Sequence, residues 1–160
     1  MKKVIIIGCP GSGKSTLSIK LHNYTKIPLY HLDMMYWNKD KTIVDKSLFL
    51  SRLNEVLSKD TWIIDGNYIS TLKLRLKECD TVIFLDYDTD ICLKGVVERM
   101  NKPRVDLPWI EEQLDDNFIE YIKTFNTKIR PDIYNILLNY QDKEIIVFRN
   151  REEADNFFNK

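Results

Sequence analysis

With 160 residues and 24 Lys+Arg set against 24 Asp+Glu, the chain is long enough to bury one core and carries no net charge. That balance argues against function classes that depend on a basic field, such as binding to nucleic acid or an anionic membrane surface. Cys9, Cys79 and Cys92 are scattered and show no Cys-x-x-Cys spacing, which speaks against a disulfide framework or a zinc site and for a reducing, cytoplasmic setting. The apolar run after Met1-Lys2-Lys3 is too short for a signal peptide, and no later stretch is apolar enough to span a bilayer.

In chain order, strand-like and helix-like segments alternate. Val4-Ile5-Ile6-Ile7 is an apolar, β-branched run of the kind buried on both faces of a parallel sheet. A helix follows from near Lys14, with Leu17 and Leu21 at helical spacing. Pro28 to Leu32 reads as a second strand ending at Asp33, and Met34 to Asp45 as a polar and aromatic connection. Ser47 suits the N-cap of a helix to about Ser58, with Leu48, Leu50, Leu53, Val56 and Leu57 on its apolar side. Thr61 to Ile64 is the third strand, closed by Asp65-Gly66, and Ile69 to Lys77 a short helix. Thr81 to Leu85 is the fourth strand, and a helix runs from Asp90 to Met100 into the basic loop Asn101-Lys102-Pro103-Arg104. Pro108 suits the first turn of a long helix broken near Arg130-Pro131. Glu144 to Phe148 is the fifth strand and Glu152 to Asn159 the closing helix. Five such strands alternating with helices predict a single α/β domain with a parallel sheet covered on both faces.

One stretch carries chemistry by itself. Gly8-Cys9-Pro10-Gly11-Ser12-Gly13-Lys14-Ser15-Thr16 fits Gly-x-x-x-x-Gly-Lys-[Ser/Thr] between a strand and a helix. Glycines let successive backbone N–H groups turn toward an anion, and the helix N-terminus adds its dipole at the same point. The motif predicts a nucleotide phosphate site in which Lys14 reaches the β- and γ-phosphates and the Ser15 hydroxyl ligates Mg²⁺. In parallel sheets ligands gather beyond the carboxyl ends of the strands, where Asp33, Asp65, Asp86 and Arg149 are expected.

Beyond the P-loop, the residues His31-Leu32-Asp33 with Tyr36-Trp37, Trp62 to Tyr68, Leu74-Arg75-Leu76 and Asp80 to Asp86 resemble the adenylate-kinase-like group of small P-loop kinases. Within it the chain is most similar to the proteins called DNA topology modulation proteins. The resemblance implies a three-layer α/β/α P-loop fold with strand order 2-3-1-4-5 and transfer of the ATP γ-phosphate with Mg²⁺. It also implies a short lid-like segment near residues 99–107, where Arg99 and Arg104 would close over the transferred group. Asp65 would hold the metal with Ser15, with Asp86 as the other candidate. Asp33 would orient or deprotonate the acceptor, and Trp37, Asn67, Tyr68 and Arg75 would contact it. Arg149 and Asn150 would lie near the adenine, and His22 and His31 would be structural. Adenylate kinases carry Asp-Gly-Phe-Pro-Arg at the third strand; here Asn67-Tyr68-Ile69 follows Asp65-Gly66, without the arginine that holds AMP.

Other readings are weaker. A GTP-operated switch requires Asn-Lys-x-Asp, which Asn38-Lys39-Asp40-Lys41 and Asn101-Lys102-Pro103-Arg104 both fail at the fourth position, and Asp-x-x-Gly does not occur. The alternative to a kinase is a catalytically weak nucleotide-binding regulatory protein. The expected form is a monomer acting on a small-molecule or nucleotide acceptor, without direct nucleic-acid or membrane contact.

Overall fold

The computed structural model describes residues 1–159. Its centre is β1 (Lys3–Gly8), which pairs in parallel with β3 (Trp62–Asp65) on one side and β4 (Thr81–Leu85) on the other. β2 (Leu29–His31) and β5 (Glu144–Phe148) form the edges, so the sheet runs β2-β3-β1-β4-β5, all parallel. The apolar runs explain this arrangement. Val4 to Ile7, Trp62 to Ile64 and Val82 to Leu85 are almost completely buried, as strands covered on both faces must be. The register brings the carboxyl ends level: His31 lies beside Asp65, Asp65 beside Ile6, and Gly8 beside Leu85. The polar residues that end these strands therefore open onto one edge.

Helices flank the sheet: α1 (Lys14–Thr25), α2 (Leu32–Tyr36), α3 (Lys46–Leu57), α4 (Ile69–Glu78), α5 (Thr89–Glu98), α6 (Asp116–Thr124), α7 (Arg130–Leu137) and α8 (Arg151–Asn156). Several boundaries differ from expectation. The second strand stops at His31 and the chain turns at once into α2, which places Asp33 in the first turn of a helix. Asp45, not Ser47, is the N-cap of α3; Phe49, Leu53, Val56 and Leu57 face inward while Leu48 is exposed. No helix starts at Pro108. Residues 101–115 form an irregular segment, and α6 begins only where Asp115 accepts a hydrogen bond from the Asn117 N–H. The break before Pro131 is a π-helical turn, Phe125–Ile129. Pro131 has no N–H to give to the preceding turn, and the wider turn accommodates that loss. The last helix ends at Asn156, earlier than its sequence pattern suggests.

Candidate active site

The phosphate loop is held by backbone packing. Gly13, at φ 97°, caps α1, so Lys14 opens the helix. Gly11, at φ 83°, lies so close to α5 that a Cβ there would stand 2.0 Å from the Cys92 carbonyl oxygen. Gly95 answers from the helix: its own Cβ would meet the Gly11 carbonyl oxygen at 2.0 Å. Backbone thus packs on backbone, and neither position has room for a side chain. From the other side, Asn67 Oδ1 accepts the Gly8 N–H at 3.0 Å. Lys14 Nζ donates to the carbonyls of Gly8 (2.9 Å) and Cys9 (3.2 Å), and burial holds its pKa below the usual lysine range. Ser12 Oγ is buried in the loop and has no hydrogen-bond partner.

A second layer stands behind α1. Asp65 is buried at the end of β3, where it accepts from Ser18 Oγ at 2.6 Å and from His31 Nδ1 at 2.8 Å. Burial opposes charge on His31, but the hydrogen bond and the negative charge of Asp65 prevail, and the imidazole pKa rises above its ordinary value.

The irregular segment after α5 folds back over the phosphate loop. Asp106 Oδ2 accepts the Ser15 hydroxyl at 2.5 Å. Arg104 grips Asp106 with two parallel bonds, Nε to Oδ1 at 2.9 Å and Nη2 to Oδ2 at 2.8 Å, and donates through Nη1 to Glu111 at 2.7 Å. Arg99 Nε lies 3.5 Å from the same Glu111 carboxylate. For Asp106, burial raises the pKa, but Arg104 and Ser15 outweigh it and bring it down to about 2. Arg104 is also buried, yet the same carboxylate raises its pKa; burial lowers that of Arg99.

Around Asp33 the walls are aromatic. The Tyr68 hydroxyl donates to Asp33 Oδ1 at 2.5 Å, from a backbone held at φ 33°. Tyr36 packs on Tyr68 (centroids 4.8 Å apart) and edge-on to Trp37 (5.0 Å), and Trp37 meets Trp109 of the folded-back segment at 5.4 Å. Burial raises the pKa of Asp33, opposed by the Tyr68 bond and the charge of Lys14. Phosphate loop, folded-back segment and aromatic walls enclose one continuous cleft of about 1370 Å³.

Most of the expected site residues meet in this cleft: Pro10 to Thr16, Asp33, Trp37, Asp65, Asn67, Tyr68, Arg99 and Arg104 all line it. Others do not. Arg75 is completely buried in α4, where its guanidinium donates to the backbone carbonyls of Gly66, Asn67 and Tyr68; burial brings its pKa down to about 9. It shapes the Asn67-Tyr68 turn and is not free to contact an acceptor. Gly8 and Cys9 lie beneath the loop, with the Cys9 side chain buried. Arg149 lies outside the cleft wall and pairs with Asp86. Asp86 is itself taken: both its oxygens are bound, by Arg130 (Nε to Oδ1, 2.7 Å) and by Tyr134 (OH to Oδ2, 2.6 Å) as well as by Arg149. It clips α7 to the sheet and is not available as the second metal-ligand candidate. His31 is structural in that it lies behind the cleft wall, but its partner is Asp65. Asp106, Glu111, Trp109 and Gly95 went unread in the sequence. Their positions depend on how residues 101–115 and α5 fold against a distant loop, and the one signal that pointed to this segment was the basic loop Asn101-Lys102-Pro103-Arg104.

Mg²⁺ prefers oxygen ligands and keeps several waters. The oxygens gathered at Ser15 and Asp106 fit such an ion, completed by nucleotide phosphates, and among the described residues no cluster of three or more His, Cys, Asp or Glu side chains forms a metal cage of its own.

No protein-family model matches the sequence, and no curated protein matches it. Solved structures do. A shikimate kinase from Acinetobacter baumannii, in complex with shikimate, superposes with a TM-score of 0.64 at 18% identity, covering 98% of this chain and 90% of that one. The shikimate kinase of Bacteroides thetaiotaomicron gives 0.60 at 17% identity, covering 96% and 91%. The chain has the P-loop kinase fold. At these identities the likeness shows the fold alone, and the chemistry must be argued from the side chains described above.

Proposed function

We propose that the protein is an ATP-dependent kinase that moves the γ-phosphate of ATP onto the hydroxyl of a small molecule. The observation that carries this reading is the joining of two halves in one cleft: a complete phosphate loop and, facing it, a half-buried carboxylate, Asp33, in a pocket of aromatic side chains. Lys14 and the loop amides hold the β- and γ-phosphates. Mg²⁺, held by Ser15 and aided by the carboxylate of Asp106 or, through water, Asp65, would neutralise charge on the phosphates. Arg99 and Arg104, on a lid formed by residues 99–107 and the segment beyond, meet the charge that develops on the transferred group. Asp33 accepts the acceptor's hydroxyl proton as the new O–P bond forms and the bond to the β-phosphate oxygen breaks, releasing ADP. A base is most effective when its pKa approaches the working pH, and burial moves Asp33 in that direction.

The single-domain, monomeric, cytoplasmic form belongs to the same reading, as does the sequence resemblance to DNA topology modulation proteins. The balanced charge supports a small-molecule acceptor over nucleic acid. Among the described residues, no helix is long and apolar enough to cross a membrane.

A second reading, a nucleotide-binding regulatory protein with weak catalysis, draws on one specific contact: Asp106 occupies the Ser15 hydroxyl and neutralises Arg104. Asp33→Asn separates the two. For a kinase, acceptor-stimulated ADP release falls about 10²-fold while ATP affinity and melting temperature hold. For a binding protein, no acceptor stimulates ADP release and the substitution changes only stability.

A further inference from the structure

On the kinase reading above, we infer that Asp106, carried by the segment that folds back over the phosphate loop, is the positioning residue for the metal-ligating hydroxyl of Ser15. Metal affinity and closure of residues 101–115 are then linked. The first observation is the direction of the bond. A serine hydroxyl has one hydrogen and two lone pairs. Ser15 gives its hydrogen to Asp106 Oδ2 at 2.5 Å, which fixes the O–H direction and leaves lone pairs for a cation. The contact prepares the hydroxyl as a ligand and does not block it. Outer carboxylates orient metal ligands, and raise their basicity, through bonds of this kind.

The second observation is that Asp106 is itself held. The Asp106 and Arg104 side chains are only 9% and 11% exposed, so the two parallel bonds between them are shielded from water. Arg104 Nη1 continues to the Glu111 carboxylate, and the Asn101 N–H donates to the Glu111 carbonyl at 2.7 Å, closing the segment into a loop. The third is that the strand-end carboxylates are engaged elsewhere. Asp65 bonds Ser18, one turn beyond Ser15, and His31; Asp86 bonds Arg130, Tyr134 and Arg149; Asp33 accepts from Tyr68. Of these four carboxylates, Asp106 alone is hydrogen-bonded to Ser15. It reaches that hydroxyl only when its segment, whose Trp109 rests edge-on against Trp37, is folded back. Affinity for the metal–nucleotide therefore depends on that closure, and by reciprocity the metal favours the closed segment.

The test uses ADP, titrated by calorimetry with excess Mg²⁺ and, separately, with EDTA. The ratio of the two affinities reads the contribution of the metal without any turnover. We expect Asp106→Asn to lower that ratio about tenfold, and Asp65→Asn to lower it less. In a Ser15→Ala background the Asp106→Asn effect should vanish, because Asp106 acts through that hydroxyl; a merely structural effect would persist there. Hydrogen exchange supplies a readout that needs no Asp106 variant to fold. Residues 101–115 of the wild type should exchange more slowly with ADP and Mg²⁺ than with ADP and EDTA, and Ser15→Ala should remove the difference. The inference is overturned by an unchanged ratio in Asp106→Asn, a larger loss in Asp65→Asn, a loss that persists in Ser15→Ala, or wild-type exchange indifferent to Mg²⁺. Any of these leaves the phosphate loop and the kinase reading intact. Failure of the wild type to bind ADP under either condition overturns both.

Discussion

The two halves of the cleft are built differently. The phosphate half is backbone: glycines at positive φ, amides turned inward, and a Gly11–Gly95 contact that excludes any side chain. The proposed acceptor half is side chain: Asp33, Tyr68, Trp37 and Trp109, contributed by α2, the β3–α4 turn and the folded-back segment. A backbone cradle recognises what every nucleotide shares, its phosphates, and tolerates little change. A side-chain pocket can be altered one residue at a time, so it is where one kinase of this fold would differ from another.

That contrast can be broken from either side. The largest effect is expected in the cradle. Lys14→Ala should lower turnover about 10³-fold, roughly 4 kcal/mol of transition-state stabilisation, and weaken ATP binding in calorimetry. Equal affinity and rate would remove the phosphate loop from the account. Next comes the packing that shapes the cradle. Gly95→Ala places a methyl group against the Gly11 carbonyl, so denaturant midpoints should show a loss of up to about 3 kcal/mol with weaker ATP binding. An unperturbed variant would mean that the loop and α5 can separate without cost.

The smallest effect concerns the segment that joins the halves. The pKa of Asp106 is depressed from 3.8 to about 2, so its charged form contributes stability that is fully present above pH 3.8 and lost as pH falls toward 2. Asp106→Asn should therefore cost about 2 kcal/mol near pH 7, and the gap between wild type and variant should close as the pH falls through that window. A pH-independent gap, or none, would show that Asp106 does not hold residues 101–115 to the phosphate loop in solution.

The same contrast explains what could be read from the sequence. The five strands, their parallel arrangement and the phosphate loop were legible because each depends on neighbours in sequence: a β-branched run, then glycines at fixed spacing, then a helix. Asp33 and Asp65 were legible as strand-end carboxylates, although Asp33 proved to begin a helix. Arg75 was misread because the sequence places it one or two turns beyond the β3 turn but cannot show that the side chain points back into the protein, onto the backbone carbonyls of that turn. Asp106, Glu111 and Trp109 were missed for a related reason. They lie in a stretch that is neither strand nor helix, and Pro108 suggested a helix start that Asp115 supplies instead. Asp106 acquires its role only through Ser15, ninety-one residues away.

The central claim is that ATP and a hydroxyl acceptor meet in this one cleft. It is tested most directly by ³¹P NMR of the wild-type protein with Mg·ATP and a panel of small-molecule hydroxyl acceptors. The account predicts loss of the γ-phosphate signal matched by ADP and a new phosphomonoester, at a rate that depends on which acceptor is present. Inorganic phosphate as the sole new product, at a rate indifferent to the acceptor, would contradict it.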